Sequence, residues 1–540
     1  MRFIIPVPEK QALLSSSVSP DGRRLVFCVS AAGKQQLWTR QLDSLTAQPL
    51  PGTDKANPAP VFWSPDSRYI GFFTDQKLKK MELSGGIAQT IADAPNPRGG
   101  SWNRIGVIVF SPNAMGPLYR VSATGGEMTQ ITTLDESRQE TSHRWPFFLP
   151  DGRHFLYLAR SSQIENTAIY VGSLESKETK RLISADSGVA YGPPGYLLFS
   201  REGTLMAQPF DADKLQVMGE ASPVAERVYL YPGYPSFSIS NTGVLVYMTG
   251  GPTNQLTWFD RSGKQLGTVG QPGRYRVFRL SPDEKRVAVV RIDPPAVRSD
   301  IWVIELTRGV ASRLTSDPGD DIAPEWSPDG SRIAFSSNRD GKFDLYEKLS
   351  SGAGSDEELL KSSEAKFMNC WSADGRYILY ESIGVNSKSD IWVLPMFGER
   401  KPYPFLKTEF NERSASFSPN GRWVAYTSNE TGIFEVYVRE FQGSGGKWQV
   451  STVGGTFPRW RWDGKEIFYT SGGKLMSVDV NASGSRFEPG VPRLLFDKNI
   501  ENDYYDLTRD GQRFLVRVPV EEISSPPITV VLNWTADLKR

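Results

Sequence analysis

Histidine and cysteine are nearly missing from this chain: two of each occur in 540 residues. Imidazole is the commonest general base and metal ligand near neutral pH, so a triad or metal mechanism has little to draw on. Cys28 and Cys370 sit in strand-like segments, "LVFCVS" and "FMNCWS", where a lone thiol acts as a small buried hydrophobe. No disulfide between such remote positions is expected. No Cys/His set has zinc spacing, and the acidic "DPGDD" of Asp317 to Asp321 lacks the order of a calcium loop and reads as a solvated turn. No metal and no cofactor are expected.

Charge of one sign is missing as well. Lys+Arg 62 against Asp+Glu 61 leaves +1 with no basic run, so a nucleic-acid partner has no electrostatic footprint here. No stretch approaches the ~18 uninterrupted apolar residues of a membrane helix. The opening "MRFIIPVPEKQ", broken by two prolines, is too short for a signal-peptide core. If Met1 is the native start, a cytoplasmic protein is expected. Helical periodicity is scarce too, whereas Trp 14, Tyr 20, Phe 28 and Gly 49 suit many short strands joined by many turns.

What is present is a repeated turn. "WSPDGSRIAFSSNRDGKFDLY" from Trp326 has counterparts in "VSPDGRRLVF" from Val18, "WSPDSRYIGFF" from Trp63, "WSADGRYILY" from Trp371 and "FSPNGRWVAY" from Phe417. Pro pre-sets φ for a β-turn, Asp or Asn bonds its own backbone two residues on, and Gly takes a positive φ, so each copy reads as a β-hairpin. Markers at Asp283, Asp329, Asp374, Asn420, Asp463 and Asp510 are spaced by 46, 45, 46, 43 and 47 residues. The longer gaps between Asp66, Asp151 and Asp283 hold degenerate units at "GSWNRIGVIVFS", "AYGPPGYLLFSREGTLM" and "SFSISNTGVLVYMTG". Twelve units result.

A third strand of the "DIWVIEL" type and a short fourth follow each hairpin. Four antiparallel strands in ~40 to 45 residues are the signature of a β-propeller blade, and closed propellers use four to eight blades. The fold class is therefore all-β, tandem β-propellers of about six four-stranded blades each. The seam falls near Gly250, Gly251 and Pro252, giving domains of residues 1–252 and 253–540. The head "RFIIPVP" and the tail "PPITVVLNW" read as lone strands that complete blades, the head in the first ring and the tail in the second. The Asp that opens the third strand is expected to cap or bond the neighbouring turn structurally.

These residues resemble the WD40-like, or PD40, repeats of TolB-type propellers. "ETSHRWPFFLPDGRHFLYLA", "GYLLFSREGTLMAQPFD", "QLTWFDRSGK" and "PITVVLNWTADLK" further resemble the propeller regions attached to bacterial serine/threonine protein kinases. That resemblance implies a recognition or sensor module, periplasmic or extracytoplasmic if the chain is a fragment of a membrane kinase. The sequence holds no phosphate loop, H-R-D or D-F-G set, and no G-x-S-x-G elbow, so neither phosphoryl transfer nor the usual propeller-capped peptidase has its machinery here.

Loops joining successive blades converge on one face of a propeller. There the sequence offers Glu140, His143 and Arg144 in the first ring, and Asp320, Asp321, Asn411, Glu412 and Arg413 in the second, as candidate ligand-binding residues. His154, just after a turn, reads as a surface side chain. The expected function is non-catalytic recognition, as sensor or scaffold, of a protein, peptide or small ligand on the loop faces. The alternatives are a propeller hydrolase or lyase using carboxylate and Arg chemistry at a channel mouth, and a plain spacer.

Overall fold

In the computed structural model the chain is described at residues 1–540 except 9–10, 32–33, 60, 162, 186, 202, 232–233, 250–252, 294–297, 318, 385–387, 444–445, 483–485, 499, 501–503, 521–526 and 540. The Gly250, Gly251 and Pro252 seam lies outside the described residues.

The repeated turn explains itself atom by atom. In the copy at Ser327, the hydroxyl donates to Asp329 Oδ1 (2.6 Å) and accepts from Arg332 N (2.9 Å), while Asp329 Oδ1 also accepts from Ser331 N at 3.1 Å. Gly330 closes the loop at φ +71°, where a Cβ would be strained. Ser64 with Asp66, Ser281 with Asp283, Ser372 with Asp374, Ser418 with Asn420 and Thr508 with Asp510 repeat the pattern. Each turn thus fixes the register of one hairpin through a side-chain clasp.

Among the described residues the strands form twelve antiparallel sheets of four or five strands, besides one small pair. The degenerate sequence units fill their places: Gly100–Trp102 pairs Val107–Phe110, Val189–Gly192 pairs Tyr196–Arg201, and Phe237–Ile239 pairs Val244–Met248. The chain divides into two compact units. Unit one holds Met1–Pro252 and Glu521–Arg540; unit two holds Thr253–Asp293 and Arg298–Val520.

Within unit one the apolar clusters between sheets follow one another in a circuit. Val246 shares a cluster with Phe27, Leu37 with Phe72, Phe73 with Phe110, Val109 with Tyr157, Leu156 with Leu197, and Leu198 with Leu245, which returns to the starting sheet. Unit two repeats the circuit through six clusters of its own. Each large apolar side chain so buried contributes about 1.5–3 kcal/mol before chain entropy is counted. Indole N–H groups tie neighbouring sheets as well: Trp63 Nε1 donates to Ser17 Oγ (3.1 Å), Trp326 Nε1 to the Arg279 carbonyl (3.0 Å) and Trp460 Nε1 to the Ser416 carbonyl (3.2 Å).

The closing sheets correct one expectation. The head strand Arg2–Ile5 does sit in unit one, but the tail strand Ile528–Leu532 lies there too, between Arg2–Ile5 and Val244–Met248. Unit two completes its closing sheet without it. Its closing sheet is already four strands wide, in the order Gln265–Gly273, Asn254–Asp260, Arg513–Pro519, Tyr505–Leu507. Unit one, by contrast, has only Phe237–Ile239 and Val244–Met248 from its own last repeat, and the apolar tail buries Ile528 and Val530 completely against them.

The third-strand acids are structural, as read from the sequence. Asp300 bonds Arg313 (2.7 Å), and buried Asp344 accepts from Lys366 Nζ (2.6 Å) and from Ser362 N (3.2 Å). Cys28 and Cys370 are both free, and burial pushes the Cys28 thiol up to about 12, so it is unreactive. Among the described residues no helix is long and apolar enough to cross a membrane.

Candidate functional site

In the sheets built from consecutive strands the first strand lines the middle of its unit, and most of these strands are interrupted. In unit two the pairing shifts between Tyr275 and Phe278, Ile322 and Glu325, Met368 and Cys370, Arg413 and Ser416, and Thr456 and Arg459. In unit one a like shift separates Arg144 from Phe147. Such bulges re-aim side chains. Ala323, Ser414, Phe457 and Trp145 take φ of +51° to +54° there, and all four line a cavity.

The two cavities differ in chemistry. Unit one encloses about 590 Å³ walled by Phe62, Trp63, Trp102, Trp145, Phe147, Tyr191, Tyr234 and Phe237, with Arg104 the single charged residue on its wall among the described residues. Arg104 is spent on the Asp151 carbonyl at 2.9 Å. Unit two encloses about 340 Å³ whose wall carries Arg276, Arg279, Arg413 and Arg459, with Glu381 the single carboxylate among the described residues.

Beneath that wall lies a buried charge network. Arg279 Nε donates to Glu325 Oε2 at 3.0 Å, and its guanidinium lies 5.3 Å from the centre of the Tyr504 ring. Asp506 accepts from Leu280 N (2.8 Å) and Leu507 N (3.0 Å). Burial would lower the Arg279 pKa, but Tyr504, Glu325 and Asp506 more than offset it, and Arg279 stays a cation. Burial pushes the Glu325 carboxyl up to about 7 despite Arg279, and raises Asp506 in the same way.

The expected site residues divide. Arg413 lines the unit-two cavity, exposed, with its guanidinium 4.9 Å from the Phe434 ring centre. The others serve the framework. Glu140, His143 and Arg144 lie inside the strand Glu140–Phe148 rather than ahead of it. His143 is 1% exposed and bonds Thr132 Oγ1 (2.8 Å) and Glu140 Oε2 (2.9 Å), while Glu140 also takes Arg138 and Asp135 N. Arg144 is buried on Ser142 Oγ and the Ala114 carbonyl, both at 2.6 Å, and burial lowers its pKa.

Asp320 and Asn411 make one repeated clasp. Asp320 Oδ1 accepts from Ser299 N (2.8 Å) while its own N–H reaches Asn338, and Asn411 Oδ1 accepts from Ser389 N (3.3 Å) while its N–H reaches Asn429. Asp321 is fully buried beside Arg339 (3.2 Å), with burial raising its carboxyl to about 6. Arg339 also holds Asp317 (3.0 Å) and Asp356 (2.6 Å), so the stretch read as a solvated turn is an ion-pair hub. Buried Glu412 accepts from Thr408 Oγ1 at 2.6 Å and is pushed up to about 7 by burial. His154 is half-buried against Asp151, 2.5 Å away.

Arg276, Asn369, Ser414 and Arg459 went unrecognised in the sequence. The available signal was their place one to four residues ahead of the aromatic or leucine that opens each turn motif.

Such circuits of four-stranded sheets around a lined centre define a β-propeller protein, and part of the chain is similar to known propellers. Residues 261–394 match the family PD40, described as "TolB beta propeller domain". The chain is 28% identical over 152 residues to the Tol-Pal system protein TolB of Alcanivorax borkumensis, covering 27% of this chain and 35% of that one. It is 25% identical over 193 residues to the uncharacterized peptidase YuxL of Bacillus subtilis, covering 28% and 29%. The matches thus span about a third of the length of these curated relatives. A TolB structure from Agrobacterium tumefaciens aligns with half of this chain and 99% of its own, at TM-score 0.42 and 18% identity. The TolB-type PD40 resemblance read from the repeats is therefore met by the family match.

Proposed function

We propose that the chain is a non-catalytic recognition module that binds a protein, peptide or small ligand at the centre of its propeller units, as a sensor or scaffold. One observation carries this reading: the bulged first strands are locked internally and leave cavity-lining groups turned inward. Asn369 Nδ2 donates to Glu381 Oε1 (3.1 Å), Asn369 Oδ1 accepts from Ala415 N (2.7 Å), and Ser414 N donates to Glu381 Oε1 (2.8 Å). Walls fixed this way need little reordering on binding, which lowers the entropic cost of recognition. The Alcanivorax relative is named for a Tol-Pal system, which favours a protein partner.

The test is affinity capture on the immobilised chain with the unit-two variant Arg413→Glu alongside. Capture of a defined partner that the variant loses supports the reading; reproducible turnover of a substrate in the absence of any partner reverses it.

A hydrolase or lyase is the second reading, favoured by Glu325 and Asp506 with raised pKa around one arginine and by the relative named as a peptidase. Against it, neither carboxyl is on the cavity wall and both are engaged by protein donors. An activity abolished by Glu325→Gln at unchanged folding would decide for catalysis.

A further inference from the structure

Among the described residues, the wall of the unit-two cavity carries cationic groups in excess of their counter-charges. Of its four arginines, Arg279 is matched by Glu325 at 3.0 Å. Among the described residues, Arg276, Arg413 and Arg459 take part in no ion pair. Arg276 has Ser299 Oγ as a neutral partner at 3.2 Å, and Arg413 has the Phe434 ring.

The carboxylate and amide oxygens on the same wall are already engaged. Glu381 Oε1 receives Asn369 and Ser414 N–H groups, and Oε2 receives Ser389 Oγ at 3.3 Å, so this carboxylate braces the bulges around it. Asn369 Oδ1 is taken by Ala415 N. A ligand that donates hydrogen bonds therefore meets few open acceptors, whereas one that accepts them meets guanidinium.

Placement sharpens the point. Arg276 and Arg413 precede or flank the bulges of their strands, and Arg459 follows the bulge at Phe457, so the three approach the cavity from three different sheets. Guanidinium presents a planar fork that matches carboxylate and phosphate in two parallel bonds. A recessed site with low-dielectric walls strengthens that attraction. Unit one, whose cavity wall is aromatic with one arginine already spent, offers no such set.

We propose that the unit-two cavity is a receptor for an anionic oxygen group, a carboxylate or phosphate, held by Arg459, Arg413 and Arg276. The volume of about 340 Å³ suits one acidic side chain, a chain end or a small polyanion. This rests on the recognition reading above and narrows it to a ligand class.

The experiment is titration calorimetry on the full chain at low and high salt. The probes are citrate, inorganic phosphate, a tetra-aspartate peptide and its tetra-asparagine counterpart. Binding of at least one anionic probe, weakened by salt and at least tenfold weaker in Arg459→Gln and in Arg413→Gln, is the expected result. Citrate or phosphate binding without the peptide assigns a free small anion, and tetra-aspartate binding assigns an acidic segment; both support the proposal. Arg104→Gln, in the unit-one cavity, leaves the affinity unchanged. Equal binding of the aspartate and asparagine peptides, or binding that survives the Arg459 and Arg413 substitutions, overturns the anion assignment while leaving recognition intact. Failure of all four probes also overturns it, and the capture assay then reports separately on recognition.

Discussion

Unit one and unit two are built from one strand grammar, yet they differ where the grammar is silent. Unit two closes with strands from its own two ends, Asn254–Asp260 beside Arg513–Pro519. Unit one closes by placing the last strand of the chain between the first strand and Val244–Met248. Their centres differ as well, aromatic in one and arginine-rich in the other. The lesson is that turn and sheet are specified by the repeat, whereas closure and cavity content are specified by the few residues outside it.

The largest effect should come from attacking that difference in closure. Deleting residues 526–540 removes fully buried Ile528 and Val530 with Trp534, and should cost unit one more than about 5 kcal/mol, judged from what single large core truncations cost. Hydrogen exchange resolved by peptide should show protection lost in unit one and retained in unit two. Equal loss in both would mean that the closures are not independent.

Next in size is Lys366→Ala. Lys366 and Asp344 are 1% and 3% exposed and 2.6 Å apart, and removing one partner of a buried pair costs about 3–5 kcal/mol. The loss should be confined to unit two, and urea melts followed by unit-specific exchange would show it. An unchanged midpoint would mean that water reaches the orphaned carboxylate.

Smaller, and expected to be equal in the two units, is the loss of a turn clasp. Ser64→Ala in unit one and Ser327→Ala in unit two should each cost about 1 kcal/mol in denaturant melts. A severalfold difference would show that the shared turn does not carry the same load in both.

Comparable in size is a pH dependence. Burial holds the Glu412 carboxyl protonated in the folded state up to about pH 7, against an ordinary 4.5. Between those values the folded chain binds more protons than the unfolded one, so this group's contribution is fully present below 4.5 and declines as pH rises through about 7. Glu412→Gln should match the wild type at the acid end and exceed it by about 1 kcal/mol above neutrality, the partial screening of the site included. Parallel melting curves at every pH would show that the carboxyl titrates normally.

Much of the fold was legible because its determinants are local. A Ser or Thr, an Asp or Asn and a Gly at fixed offsets make a clasped hairpin wherever they occur, and even the units lacking Pro, such as Gly100–Phe110, kept the alternation of apolar residues. The destination of the tail was not legible, since "ITVVL" would satisfy any open apolar edge and only the count of strands in each closing sheet decides between them. The candidate site was legible at Arg413 alone. Polar residues ahead of a strand look alike in sequence whether they bond the next turn, as Asp320 and Asn411 do, or face a cavity, and the bulges that separate the two cases leave no compositional mark. His143 drew notice for its rarity, but its two ring nitrogens are both spent inside the fold.

The position of Ile528–Leu532 also sets an order of assembly. A ribosome releasing this chain delivers every strand of unit two by Pro519, while unit one, most of which was made earlier, still has an open edge at Val244–Met248. The part translated first is the part that matures last, and during that interval it must keep an unpaired apolar strand from neighbouring chains.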